Sequence, residues 1–149
     1  LRRSEGIGMQ YAVVVAATLM FVDASGEQLS DHHKIKAMQA ESTRVRKVYG
    51  RPPQILDEKL CVIAQRHANW MARTGRFEHS GEATGTHSGE QIIAWGQDSA
   101  HRAFYGWLSS RGADGRSGHY RWVVGPEKRC GFGCQKGRDG RWLWVGVYR

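Results

Sequence analysis

The sequence is short of acid, of cysteine and of any long apolar run. Fourteen Asp and Glu stand against 22 Lys and Arg in 149 residues, a formal net charge of +8 with a pI near 9.8. A basic surface favours anionic partners. The cations are spread along the chain without a dense run, so there is no dedicated nucleic-acid motif. The apolar run at residues 11–22 (YAVVVAATLMFV) is too short for an ordinary membrane span, which needs about 20 residues. With Arg2 and Arg3 before it and Val22-Asp23-Ala24 after it, residues 1–26 read as a secretory signal peptide, with an N-terminal anchor as the alternative. Cleavage after Ala24 would leave the net charge unchanged, since Arg2 and Arg3 are offset by Glu5 and Asp23.

Three cysteines, Cys61, Cys130 and Cys134, leave one thiol over if two pair in an oxidising compartment. Along a straight strand Cys130 and Cys134 would stand roughly 13 Å apart. A disulfide allows about 7 Å between Cα atoms. That pair needs a bend at the intervening glycines, and the pairing stays open. The Cys-x-x-x-Cys spacing has no second ligand pair to make a zinc site. The chain also lacks a Gly-x-Ser-x-Gly elbow, a His-Glu-x-x-His pair, a phosphate-binding Gly loop and a Cys-x-x-Cys pair, which removes the common signatures of those chemistries. No repeat or low-complexity tract divides it, and its length suits one domain with a full core.

What is present is patterned. After a polar lead-in at 27–34, the domain spans 35–149. Ile35, Met38, Val45, Val48 and Tyr49 fall at helical spacing, stopped by Gly50 and Pro52-Pro53. A second helix is predicted over 57–74, with Asp57 as N-cap and Gly75 as stop. Its apolar face includes Leu60, Ala64, Trp70 and Met71, and also His67, which reads as a core or boundary histidine. A third helix starts near Ser99, with a stripe through Phe104 and Trp107, and closes at Gly112. His101 lies off that stripe and is expected to be exposed, as are His32 and His33. Residues 120–124 are aromatic and β-branched, 129–136 suit a strand, 137–140 a turn, and 142–148 (WLWVGVY) a strand covered on both faces. Trp142 and Trp144 share one strand face, with Trp122 as a possible neighbour. Helices first and a meander last predict an α+β fold, a three-layer α-β-α sandwich around an antiparallel sheet.

The order of short motifs resembles the CAP superfamily (cysteine-rich secretory, antigen 5 and pathogenesis-related proteins), or SCP domain, in its short bacterial form. The resemblance covers about residues 35–149. It rests on Gly50-Arg51-Pro52-Pro53, on 64–72 followed by Phe77-Glu78-His79-Ser80, on Gly89-Glu90-Gln91-Ile92, on Trp107-Leu108-Ser109-Ser110, and on Gly118-His119-Tyr120. It implies a central cleft of two histidines and two acids. Carried over by position, these are His79, Glu90 and His119, with Ser110 where the second acid would stand and Gln91 in place of an asparagine. His87, three residues before Glu90, is the rival for the first histidine.

His79, Glu90 and His119 are suitable ligands for a divalent cation such as zinc, and a cation-bound water could act as a nucleophile. The competing reading is a hydrogen-bonded cluster that only organises loops. The function expected from the resemblance is an exported monomer that binds an extracytoplasmic ligand in this cleft, with Gln91 and Ser110 among the binding residues and a cation assisting. A lipid or sterol, a glycan and a cell-wall polymer are the candidate ligands. The rivals are a metal-dependent hydrolase of nucleic acid or wall material, and a non-catalytic cell-surface interaction module.

Overall fold

The computed structural model describes residues 28–79 and 91–149. The expected signal segment, residues 1–26, lies outside them. A short 3₁₀ turn (Leu29–Asp31) leads into α1 (His33–Val48), followed by β1 (Ile55–Leu56), α2 (Glu58–Thr74) and β2 (Gln91–Trp95). Then come α3 (Ala100–Ser109), α4 (Gly118–Val124), β3 (Arg129–Lys136) and β4 (Trp142–Tyr148). The strands form one sheet in the order β1-β3-β4-β2. Helix α2 covers one face, and α1, α3 and α4 cover the other. Among the described residues no helix is long and apolar enough to cross a membrane.

The alternation of each strand sorts its residues between these two layers. Leu143, Val145 and Val147 of β4 and Ile93 of β2 pack under Leu60, Ala64, Ala68 and Met71 of α2. Trp144 and Tyr148 of β4 and Phe132 of β3 join Ile35, Met38, Phe104 and Trp107 beneath the other helices. On β3 the residues facing α2 are Gly131 and Gly133, and this allows helix and strand backbones to meet. A Cβ on Gly131 would overlap the backbone of Leu60 and Cys61, and one on Gly133 the backbone of Ala64 and Gln65. Gln65 uses the proximity. Its amide nitrogen donates to the Cys134 carbonyl (2.8 Å) and its carbonyl oxygen accepts from the Cys134 N–H (3.1 Å). The strand edge beyond the two-residue β1 is thereby paired by a side chain.

A buried arginine ties α1 to the loops. Arg46 is 2% exposed and donates to the carbonyls of Pro52 (2.7 Å), Val123 (3.1 Å) and Gly125 (3.0 Å). Helix α2 carries the caps its sequence promises. The Asp57 carboxylate accepts from Lys59 N and Leu60 N, and Gly75 closes the helix in the left-handed region at φ 71°.

Four expectations are corrected. The sheet is mixed rather than antiparallel, because β1 runs parallel to β3; β1 enters from the loop after α1, and no hairpin joins the two strands. Residues 120–124 belong to helix α4, where Val123 and Val124 face the core despite their β propensity. Trp122 stacks on Tyr148 (6.4 Å) at one end of the sheet, whereas Trp142 and Trp144 (5.9 Å apart) lie at the other. No cysteine pair forms. Cys61, Cys130 and Cys134 are buried free thiols, and burial pushes the first two up to about 12 and the third to about 11.

The contact between α2 and β3 predicts opposite responses to one substitution. Gly133→Ala should lower the unfolding free energy by about 1–3 kcal/mol or more by overpacking. Gly106→Ala, inside α3 with only the Gln97 side chain at 3.7 Å, should raise it by about 0.4–1 kcal/mol. Urea denaturation of the two variants checks both signs; a neutral Gly133→Ala would mean that helix and strand are not in backbone contact.

Candidate functional site

The expected site residues stand on three elements. His79 lies four residues beyond Gly75, which closes α2. Gln91 opens β2, where its backbone pairs with Val147 of β4. His119 sits in the first turn of α4. The side chains of His79, Gln91 and His119 line one open cleft of about 410 Å³, together with Ser117, Arg121 and Trp122. Glu90, and His87 as the rival of His79 for the first histidine, lie outside the described residues.

Two local devices hold the histidines in place. Gly118 adopts φ +69°, and a Cβ there would press on the Ser110 carbonyl oxygen at 2.6 Å. The same carbonyl accepts from Tyr120 N at 3.1 Å. The start of α4 is therefore seated on the end of α3 through the backbone of Ser110, and Ser110 is not among the residues lining the cleft. On the other wall, His67 of α2 is fully buried. Its Nε2–H donates to the Glu78 carbonyl at 2.8 Å, which fixes the residue next to His79.

The hydrogen bonds assign tautomers. Since His67 Nε2 carries the proton, Nδ1 holds the lone pair, and it is buried without a partner among the described residues. A second proton there would be a buried cation with no acceptor among them. His79 Nδ1 meets the Gln91 side-chain oxygen at 3.3 Å. An amide oxygen can only accept, so His79 Nδ1 donates to it, and Nε2 takes no part in that bond. Burial, and then the charge of His79, hold His119 below its ordinary value of 6.5, so His119 is neutral at pH 7. Arg121, on the same wall, is paired with Glu127 at 2.6 Å. Among the described residues the cleft thus offers two imidazoles, that of His119 neutral, and an amide. Among the described residues, no group of three or more His, Cys, Asp or Glu is arranged to hold a metal ion.

His67 was legible as a core histidine, but its hold on the loop was not, because Glu78 enters only through its carbonyl. Of the other histidines, His101 is exposed beside Glu41 (3.2 Å). His32 is half-buried and caps α1 by accepting from Lys34 N at 3.3 Å.

The buried imidazoles make an acid-labile fold. His67 is lowered from 6.5 by burial, against the opposing effect of the Glu78 carbonyl, and His119 is lowered as well. Below pH 6.5 the unfolded chain takes up protons that the folded chain refuses, so stability is full above that pH and declines as pH falls towards the lowered values. The melting temperature should drop between pH 7.5 and 5.5. His67→Gln, which keeps a donor for the Glu78 carbonyl, should remove part of the drop. Calorimetry across this range that finds a constant melting temperature in the wild type would contradict the neutral assignment.

Similarity to known proteins agrees with this architecture. Residues 42–148 match the Cysteine-rich secretory protein family, CAP. No curated protein matches the chain. Among solved structures, an outer surface protein from Borrelia burgdorferi superposes with a TM-score of 0.61 at 16% identity, over 76% of this chain and 89% of that one. Venom allergen-like protein 4 from Schistosoma mansoni gives 0.58 at 16% identity, over 78% and 88%. An extracellular protein containing an SCP domain from Bacillus anthracis gives 0.53 at 13% identity, over 78% of this chain and 40% of that one. At these identities the superpositions carry the fold, and the match over residues 42–148 carries the family: the chain belongs to the cysteine-rich secretory protein (CAP) family.

Proposed function

We propose that this CAP protein is exported and binds an extracytoplasmic ligand in the cleft of His79, Gln91 and His119, with a divalent cation assisting. The observation that carries the reading is the convergence of a histidine from the α2 loop and a histidine from α4 on one cleft, with His119 held neutral and His79 oriented by its Nδ1 bond to the Gln91 oxygen. Neutral imidazole is the form that binds zinc or a ligand proton. Trp122, half-buried on the same wall, gives a ligand an apolar surface beside these polar atoms, the usual make-up of a small-ligand site.

The residues present suit a cation in part. His79 and His119 would supply two nitrogen ligands, and Glu90, adjacent to Gln91 in sequence, is the candidate carboxylate. A bound cation would supply a Lewis-acidic anchor for an oxygen of the ligand. Ser110 cannot supply a second anionic ligand, so the affinity should be modest. Export is supported by the pattern of residues 1–26 and by the extracellular character of the Bacillus anthracis relative.

Zinc titration of the full chain by calorimetry should give one site per chain. His79→Ala/His119→Ala should abolish it. Lowering the pH from 7.5 to 5.5 should weaken it, since protons compete for the imidazoles. No binding heat in the wild type at pH 7.5 would remove the cation from the reading.

A further inference from the structure

Exposed apolar side chains that stand singly need no explanation, but a touching pair in a concave site does. Phe77 and Trp95 are 48% and 44% exposed. Their ring centres lie 6.2 Å apart at a tilt of 37°. Both line a cavity of about 280 Å³ between the end of α2, the end of β2 and the β3–β4 turn. Trp95 and Gln91 stand at opposite ends of β2, about 13 Å apart, and this cavity shares no lining residue with the histidine cleft. We propose that it binds a neutral sugar unit, a gluco-configured ring of a β-linked glycan.

The rings stand on rigid supports. Trp95 pairs with Leu143 at the end of the β2–β4 ladder, and Gly96 N donates to the Trp142 carbonyl at 2.9 Å. Arg141, which does not line the cavity, holds its guanidinium 4.9 Å from the centre of the Trp95 ring. Phe77 leaves α2 two residues after Gly75, whose left-handed φ of 71° ends the helix. The third side is the β3–β4 turn, closed by Gly137 N to the Arg141 carbonyl (2.8 Å) and Gly140 N to the Gly137 carbonyl (3.0 Å). A Cβ on Gly137 would meet Asp139 Oδ1 at 3.0 Å and Leu143 Cδ1 at 3.7 Å. Both of those residues line the cavity, so the side chain that Gly137 lacks is space the cavity uses.

Charge and shape supply the class. Arg76, on the wall, is paired with Glu78 at 2.7 Å. Arg138 and Asp139, side by side on the turn, have opposite signs. The described lining is thus charge-balanced. An anion would face Asp139 and a cation Arg138, whereas a neutral ligand with hydroxyls uses both. The Arg138 side chain has no partner among the described residues. One Asp139 oxygen accepts from Arg141 N (3.0 Å), and the other is open to accept. A carboxylate and a guanidinium together accept from and donate to neighbouring hydroxyls. In a gluco-configured ring the hydroxyls are equatorial. Its faces are therefore CH surfaces that pack on aromatic rings, and its rim is polar. The volume is near the small end of ligand pockets and admits about one such ring. Half-exposed aromatic faces beside a charge-balanced polar pair answer both parts of that ring.

The experiment is a titration of the full chain followed by saturation-transfer difference NMR on the ligand, with cellobiose, N,N′-diacetylchitobiose, sodium glucuronate and cyclohexanol as the four probes. The expected result is saturable binding of at least one of the two disaccharides, at least tenfold tighter than glucuronate and than cyclohexanol. Phe77→Ala/Trp95→Ala should weaken it tenfold or more while the circular dichroism spectrum stays unchanged. Arg138→Ala, which removes no contact within the described fold, should weaken it as well. His79→Ala/His119→Ala should leave it intact, so the outcome is separable from that of the zinc titration. No saturable binding of either disaccharide would overturn the proposal. So would cyclohexanol or glucuronate binding as tightly as the disaccharides, or binding lost in the histidine variant and retained in the aromatic one.

Discussion

Helix α2 rests on the bare backbone of β3, and the rest of the molecule is arranged around that contact. Gly131 and Gly133 remove the side chains that would hold the two apart. At that distance Gln65 can pair both polar groups of Cys134, and Phe132, between the glycines, is free to fill the opposite layer. Burial of α2 then places Met71 over the sheet, and Gly75 closes the helix in the left-handed region. His67 extends the same constraint to the site, because its bond to Glu78 sets the residue before His79. One wall of the cleft is therefore a consequence of helix-on-strand packing.

The other wall depends on α4, and here backbone again positions side chain. Arg46 donates to the carbonyls of Val123 and Gly125 at the end of α4, while Ser110 and Gly118 lock its beginning. A seven-residue helix has little stability of its own, so these anchors at both ends do the holding. They carry no charge into the cleft. Arg46 is satisfied by carbonyls, and Arg121 is neutralised by Glu127. Among the described residues lining the cleft, the one arginine is thus balanced by an acid. At the other end of the sheet, Lys34 and Lys136 approach the Trp142 ring at 4.3 and 6.0 Å.

Much of this was legible from the chain where local signals and tertiary packing agree. Helix α2 has a cap, a stripe and a stop that all point the same way, and it forms with those limits. Strands β3 and β4 are bounded by the turn at 137–140 and match their expected spans. The misreadings fall where a tertiary contact overrides composition. Residues 120–124 look like a strand, yet the seat on Ser110 and the bonds from Arg46 make them α4. The parallel pairing of β1 depends on where the loop after α1 lands, a long-range matter without a local pattern. In the site, the placement of His79, Gln91 and His119 beside one another required the family resemblance, since residues 40 apart carry no periodicity that links them. The service of Ser110 through its carbonyl, and of His67 through a carbonyl partner, could not be read from side-chain types at all.

The three thiols follow from the same packing. Cys130 and Cys134 face the layer of α1 and α3 on either side of Phe132, and Cys61 is buried in α2. Burial raises all three well above neutral, which leaves them as small apolar side chains with little thiolate to react. A disulfide acts chiefly by limiting the unfolded chain, and a domain of this length buries enough surface to fold without one. The tie that a cross-link between α2 and β3 could have provided is already made by backbone contact at two glycines and by the paired amide of Gln65. Cysteine at these positions thus acts as a small apolar side chain, filling space beside Phe132 that a larger one would overpack.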